Sequence, residues 1–137
     1  MPFVHISLRE GKPETYRRAL GDGVHRALVE VLSVPVDDHF QIITEHKSES
    51  VIHDPQYLGI ERTDDIVFIR ITLGLGRTLA QKRALYARTA ARLAESPGLR
   101  PQDVFIMLVE IPIENWSFGN GIAQYADKPP TWINRGA

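Results

Sequence analysis

The sequence predicts an α+β fold in which two β-α-β repeats build one four-stranded sheet with both helices on a single face. Three observations carry this expectation. A shift of 65 positions lays Ile6-Ser7-Leu8 on Ile71-Thr72-Leu73 and Arg18-Ala19-Leu20 on Arg83-Ala84-Leu85. The same shift matches Gly11 with Gly76, Lys12 with Arg77, Asp38 with Asp103, Phe40 with Phe105 and Glu45 with Glu110 without a gap. Such a register means two copies of one supersecondary unit. Within each copy the apolar period switches from that of a strand to that of a helix and back. Each β-α-β unit implies a parallel strand pair joined by a crossover helix.

The elements follow in order. "FVHISL" reads as the first strand, and Pro13 suits the first turn of a helix. Tyr16, Leu20, Val24, Ala27, Leu28 and Val31 recur at helical spacing on one face. Gly21 and Gly23 each weaken that helix by about 1 kcal/mol relative to alanine, which close helix–sheet approach would explain. "HFQIITEH" is the second strand. In the second copy "IVFIRITL" is a strand, and Thr78 with Gln81 forms a capping box for a helix running to about Glu95. "SPGLRP" ends that helix and "VFIMLVEI" closes the repeat. Repeat one spans about 2–46 and repeat two about 67–111, with a hairpin turn at Gly119-Asn120-Gly121 inside a hairpin and tail over 112–137.

One face of the sheet is left without a helix. "VFIMLVEI" is apolar on both alternating sets, Val104, Ile106 and Leu108 against Phe105, Met107 and Val109. An open face of that character is larger than monomers usually carry, so sheets of several copies are expected to pack together.

Composition narrows the function. The 137 residues suit a single domain. A formal net charge of −1 and the lack of a basic cluster interleaved with aromatics argue against nucleic acid. The chain has no cysteine, which excludes disulfides, thiolate metal sites and cysteine nucleophiles. Charged residues crowd the first twenty positions, no run is long enough to span a bilayer, and a soluble cytoplasmic protein without a membrane partner is expected. The five histidines do not fall at metal-ligand spacing, so neither metal nor cofactor is expected. Gly74-Leu75-Gly76 is a turn, because Leu79 stands where a nucleotide loop needs its third glycine.

The chain opens Met-Pro. Proline at a strand start is tolerated for backbone reasons alone. A small penultimate residue also favours removal of the initiator methionine, and Pro2 would then carry a free secondary amine on a rigid ring. An α-amine has a reference pKa of roughly 8, within reach of useful proton transfer if burial or a cation lowers it. Arg77 follows "GLG" at the end of a strand, where it could grip a carboxylate, or could simply be a solvated arginine before a helix as its repeat mate Lys12 suggests. Asp38 precedes a strand, where aspartate is locally favoured, as at Asp103.

Taken with Met-Pro, the stretches "VPVDDHFQIITEH", "RTLAQK" and "NWSFGNGIAQY" resemble the tautomerase superfamily, and within it the malonate semialdehyde decarboxylase branch. The resemblance runs from Pro2 to about Tyr125 and leaves "ADKPPTWINRGA" unmatched. It implies a homotrimer and an amino-terminal proline acid/base enzyme acting on a small anionic oxo acid by tautomerisation, decarboxylation or hydration. Pro2 would be the catalytic amine, Asp38 a partner of the proline or of a water, and Arg77 one of two arginines that hold substrate. Leu75 stands where the decarboxylase pattern has the other arginine. Trp116, Phe118 and Tyr125 would form an aromatic wall, and His25 resembles a histidine used by dehalogenase relatives. The alternative reading is a non-catalytic trimeric ligand-binding protein on the same scaffold.

Overall fold

The computed structural model describes residues 1–131. Strands β1 (Phe3–Arg9), β2 (Phe40–His46), β3 (Val67–Gly74) and β4 (Val104–Ile111) and helices α1 (Glu14–Leu32) and α2 (Leu79–Glu95) follow in the order β1-α1-β2-β3-α2-β4. The sheet order is β2-β1-β3-β4. β1 runs parallel to β2 and β3 parallel to β4, while β1 and β3 meet antiparallel at the seam between repeats. The two-repeat architecture expected from the sequence is the one observed.

Local chemistry sets the helix ends. Pro13 takes the N-cap of α1, and Thr78 and Gln81 complete the capping box of α2. α1 stops at Ser33, which adopts a left-handed φ of 56°, and the following Val34 N–H donates back to the Leu28 carbonyl. Leu20, Val24, Ala27 and Leu28 of α1 and Leu85 and Leu93 of α2 bury against Val4, Ile6 and Leu8 of β1 and Ile69, Ile71 and Leu73 of β3. The two helix glycines have separate causes. A Cβ on Gly21 would lie 2.5 Å from the Gln41 Oε1 on β2, and one on Gly23 would lie 2.7 Å from Cδ2 of Leu93 on α2. Helix–sheet approach thus accounts for the first and helix–helix approach for the second.

Among the described residues neither α1 nor α2 covers the opposite sheet face. Phe40 and Ile42 on β2 and Phe105 and Met107 on β4 are about half exposed there. Between them the centre is polar: Arg70 donates to Nδ1 of His5 (3.3 Å), and Nε2 of His5 meets Thr44 Oγ1 at 3.0 Å.

The expected hairpin after β4 does not form among the described residues. Among the described residues no strand follows β4; a 3-10 turn at Ile113–Asn115 leads to an irregular run and the short helical turn α3 (Gln124–Asp127). The turn itself exists, with positive φ at Gly119, Asn120 and Gly121. The Gln124 side chain takes the role of a second strand, accepting from the Phe118 N–H at 2.9 Å and donating to the Gly119 carbonyl at 2.8 Å. Residues 132–137 of the expected tail lie outside the described residues.

Candidate active site

Sheet topology gathers the candidate residues at one end of the molecule. Because β1 and β2 are parallel, Phe3 pairs with Phe40, which brings the turn before β2 beside the start of the chain. Because β3 is antiparallel to β1, Phe3 also pairs with Thr72, so β3 delivers its last residues to that end. β4 runs parallel to β3 and ends there too, with Leu75 donating its N–H to the Ile111 carbonyl at 3.3 Å. Strand direction therefore brings the start of the chain, Asp38, Arg77 and the end of β4 to the same end of the molecule.

Chain termini are ordinarily solvated. Here Met1 is only 2% exposed and Pro2 is buried. The terminal amine is in ionic contact with the Asp38 carboxylate, whose side chain is 14% exposed. Burial, and then the Arg77 guanidinium, lower that amine from its usual 8.0 to about 5. The Asp38 carboxylate works in the opposite sense, so the amine sits between an anion that favours its protonated form and a cation that favours its neutral form.

Arg77 leaves the β3–α2 turn after Gly76, whose φ of 115° suits glycine. Its Nη1 donates to the Gly74 carbonyl at 3.1 Å, which anchors the guanidinium head against the turn. Burial lowers the guanidinium from its usual range, while Glu110 and Tyr125 act on it in the opposite direction. Glu110 is itself ion-paired with Lys82 of α2.

The repeat supplies an internal control. Asp103 accepts from the Thr63 N–H at 2.7 Å and from the Thr63 hydroxyl at 2.6 Å, and it is fully buried. Lys12, the counterpart of Arg77, pairs with Asp65 at 3.0 Å on the surface. In the second copy, then, the aspartate closes a turn in the connector to β3. In the first copy the equivalent aspartate faces the chain terminus.

The aromatic residues pack together beside this end. Trp116 and Phe118 stack with centroids 5.6 Å apart, and Tyr125 meets Phe118 edge-on at 4.8 Å. Gln124 pins the segment through its two backbone hydrogen bonds, a role with no signal in the sequence pattern. Among the described residues the Trp116 indole N–H is buried without a hydrogen-bond partner. His25 does not join the amine. Its Nε2 donates to the Val36 carbonyl at 2.9 Å and its ring stacks on His39 at 3.9 Å, beside the loop that carries Asp38. Leu75 is 51% exposed two residues ahead of Arg77. No helix among the described residues is long and apolar enough to cross a membrane.

Comparison with known proteins gives a consistent picture. Two family models, both described as tautomerase enzyme, match residues 38–119 and residues 2–60. YusQ of Bacillus subtilis (strain 168), named a probable tautomerase, is 45% identical over 124 residues, covering 90% of this chain and 98% of that one. A crystal structure of FG41 malonate semialdehyde decarboxylase inhibited by 3-bromopropiolate superposes with a TM-score of 0.88 at 37% identity, covering 94% of this chain and 98% of the other. A fused 4-OT symmetric trimer shares the fold with a TM-score of 0.74 at 22% identity over 90% of this chain and 98% of its own.

Proposed function

The chain belongs to the tautomerase enzyme family, and on that premise we propose that it is an amino-terminal proline acid/base enzyme for a small oxo acid bearing one carboxylate. The observation that carries this reading is the buried chain terminus held between Asp38 and Arg77. Consecutive Cα atoms are about 3.8 Å apart, so loss of Met1 would bring the Pro2 amine one residue's length from the present amine position. The departing methionine, now 2% exposed, would leave a space on the scale of a small oxo acid.

In this mechanism Arg77 pairs the substrate carboxylate through two N–H groups, a geometry that a guanidinium matches and an ammonium does not. The neutral Pro2 amine takes a proton from an enol hydroxyl or an acidic carbon, and the resulting ammonium returns it at carbon or oxygen, which completes a tautomerisation. With a 3-oxo acid the C–C bond to the carboxylate breaks, carbon dioxide leaves, and protonated Pro2 supplies the proton to the enolate carbon. Asp38 favours that protonated form and could orient a water for hydration. The wall of Trp116, Phe118 and Tyr125 excludes bulk water, which strengthens each charged contact inside.

Leu75 bears on the choice among these reactions. With leucine at the position of a second arginine, a second anionic or carbonyl oxygen lacks a cation from that residue, which favours tautomerisation of a monocarboxylate over decarboxylation. The open sheet face with Phe105 and Met107 supports a homotrimer in which three sheets bury these faces together; the fused 4-OT structure is a symmetric trimer. The test is an ultraviolet assay with phenylenolpyruvate and a 2-hydroxydienoate, beside a panel of 3-oxo and acetylenic acids. Turnover of an enol substrate is expected. Binding of oxo acids without turnover of any panel member would favour a ligand-binding protein instead.

A further inference from the structure

The loop that presents Asp38 has little of its own to hold it. Val34 is buried, but Pro35, Val36, Asp37 and His39 are exposed, and β2 begins only at Phe40. One internal bond, from the Asp38 N–H to the Pro35 carbonyl at 3.0 Å, closes the turn. A segment with so few buried contacts is expected to open locally unless it is tied to a rigid element. The tie is His25. It stands on α1, whose neighbours Val24, Ala27 and Leu28 are in the core. Its Nε2 reaches the Val36 carbonyl at 2.9 Å, and its ring lies 3.9 Å from that of His39 at an interplanar angle of 6°. Val36 and His39 flank Asp37-Asp38, so one helical side chain grips the loop on both sides of the carboxylate.

We propose that His25 is a positioning residue that fixes Asp38 against the amino-terminal amine by holding Val36 and His39, and that it does not itself touch substrate. This rests on the reading of Asp38 given above. A carbonyl only accepts hydrogen bonds, so the arrangement assigns the proton of neutral His25 to Nε2. Burial, followed by the neighbouring His39, lowers His25 from the usual histidine range, which keeps the ring neutral near pH 7. Face-to-face imidazoles tolerate this state, whereas two imidazolium rings at that distance would repel.

The experiment uses enzyme shown to begin at Pro2 and measures kcat and KM for phenylenolpyruvate in His25→Leu and His25→Gln, each in the native and the Asp38→Asn background. Leucine fills the space without a donor, and glutamine keeps a donor. His25→Leu is expected to lower kcat by about tenfold to a hundredfold, the scale of a misplacement on the order of an ångström, with KM little changed because Arg77 is untouched. His25→Gln should recover most of the loss. In the Asp38→Asn background His25→Leu should add nothing, because the group it positions is gone. An equal loss in both backgrounds, or a loss confined to KM, would overturn the positioning role alone. Wild-type turnover by Asp38→Asn would instead overturn the reading of Asp38, and this role with it. Should His25→Leu fail to fold, nitrogen-15 NMR of the native protein decides the matter: an Nε2–H tautomer at His25 is expected, and an Nδ1–H tautomer rules the tie out.

Discussion

Opposite charges flanking one amine make a prediction with a sign. Asp38→Asn removes the anion in contact with the terminal amine, and Arg77→Ala removes the cation that lowers it. The Pro2 amine stands about one residue's length, roughly 3.8 Å, beyond that contact, and two unit charges about 7 Å apart at an effective dielectric of about 20 interact by about 2.4 kcal/mol, which at about 1.36 kcal/mol per unit is somewhat under two pKa units. Asp38 is 14% exposed, so water screens part of this, and a downward shift of about one unit is expected for the Pro2 amine in Asp38→Asn. Arg77→Ala should move the same pKa upward, by less, since burial is the larger cause of its depression. The assay is the pH dependence of kcat/KM for enol tautomerisation, with a parallel nitrogen-15 titration of the Pro2 amine. If the neutral amine is the essential base, activity is lost as pH falls through its pKa; the acid limb then extends to lower pH in Asp38→Asn and retreats to higher pH in Arg77→Ala. Shifts of the same sign in both variants, or a limb unmoved in either, would refute the arrangement.

Other outcomes follow from the same geometry. Arg77→Ala should weaken carboxylate binding by about 2 to 4 kcal/mol, and Arg77→Lys should recover little of it, as measured by competitive inhibition with unreactive oxo acids. Leu75→Arg should raise decarboxylation of 3-oxo acids relative to enol tautomerisation, followed as carbon dioxide release; an unchanged ratio would remove Leu75 from the account of specificity. Gly23→Ala places a Cβ 2.7 Å from the fully buried Leu93; overpacking of about 1 to 3 kcal/mol less about 1 kcal/mol of helix propensity leaves a net loss of about 0 to 2 kcal/mol in urea unfolding, against the gain that propensity alone would give. Phe105→Glu with Met107→Glu should lower the mass seen by light scattering from trimer to monomer, whereas a native protein already monomeric at micromolar concentration would refute the packed-sheet proposal.

How far the sequence could be read depends on where the controlling interactions lie. The repeat, the capping box at Thr78 and the length of β4 were legible because period and turn chemistry are local properties. Convergence of Pro2, Asp38 and Arg77 was legible only through the repeat and the resemblance, since it depends on the antiparallel seam between β1 and β3. The segment after β4 was misread, because Gly119-Asn120-Gly121 carries a hairpin signal while the partner that satisfies its backbone is the Gln124 side chain. His25 was visible as a candidate, but its contacts with Val36 and His39 depend on how α1 folds back over the loop leading to β2. Asp38 and Asp103 look alike in sequence. What separates them is the neighbour each meets, a chain terminus in one repeat and Thr63 in the other.

The central claim is that the amine of Pro2 does the chemistry, and the most direct test compares two forms of the same protein. With Met1 attached, the proline nitrogen is an amide whose lone pair is delocalised into a carbonyl, and it cannot accept a proton near neutral pH. Met1 is itself only 2% exposed, so on the proposed mechanism it occupies the space that substrate takes. Preparations differing in the fraction that retains Met1, quantified by intact-mass spectrometry, are to be assayed with phenylenolpyruvate at equal protein concentration. Turnover should rise in proportion to the fraction beginning at Pro2 and extrapolate to zero for fully blocked protein; equal turnover by blocked and processed forms would contradict the account.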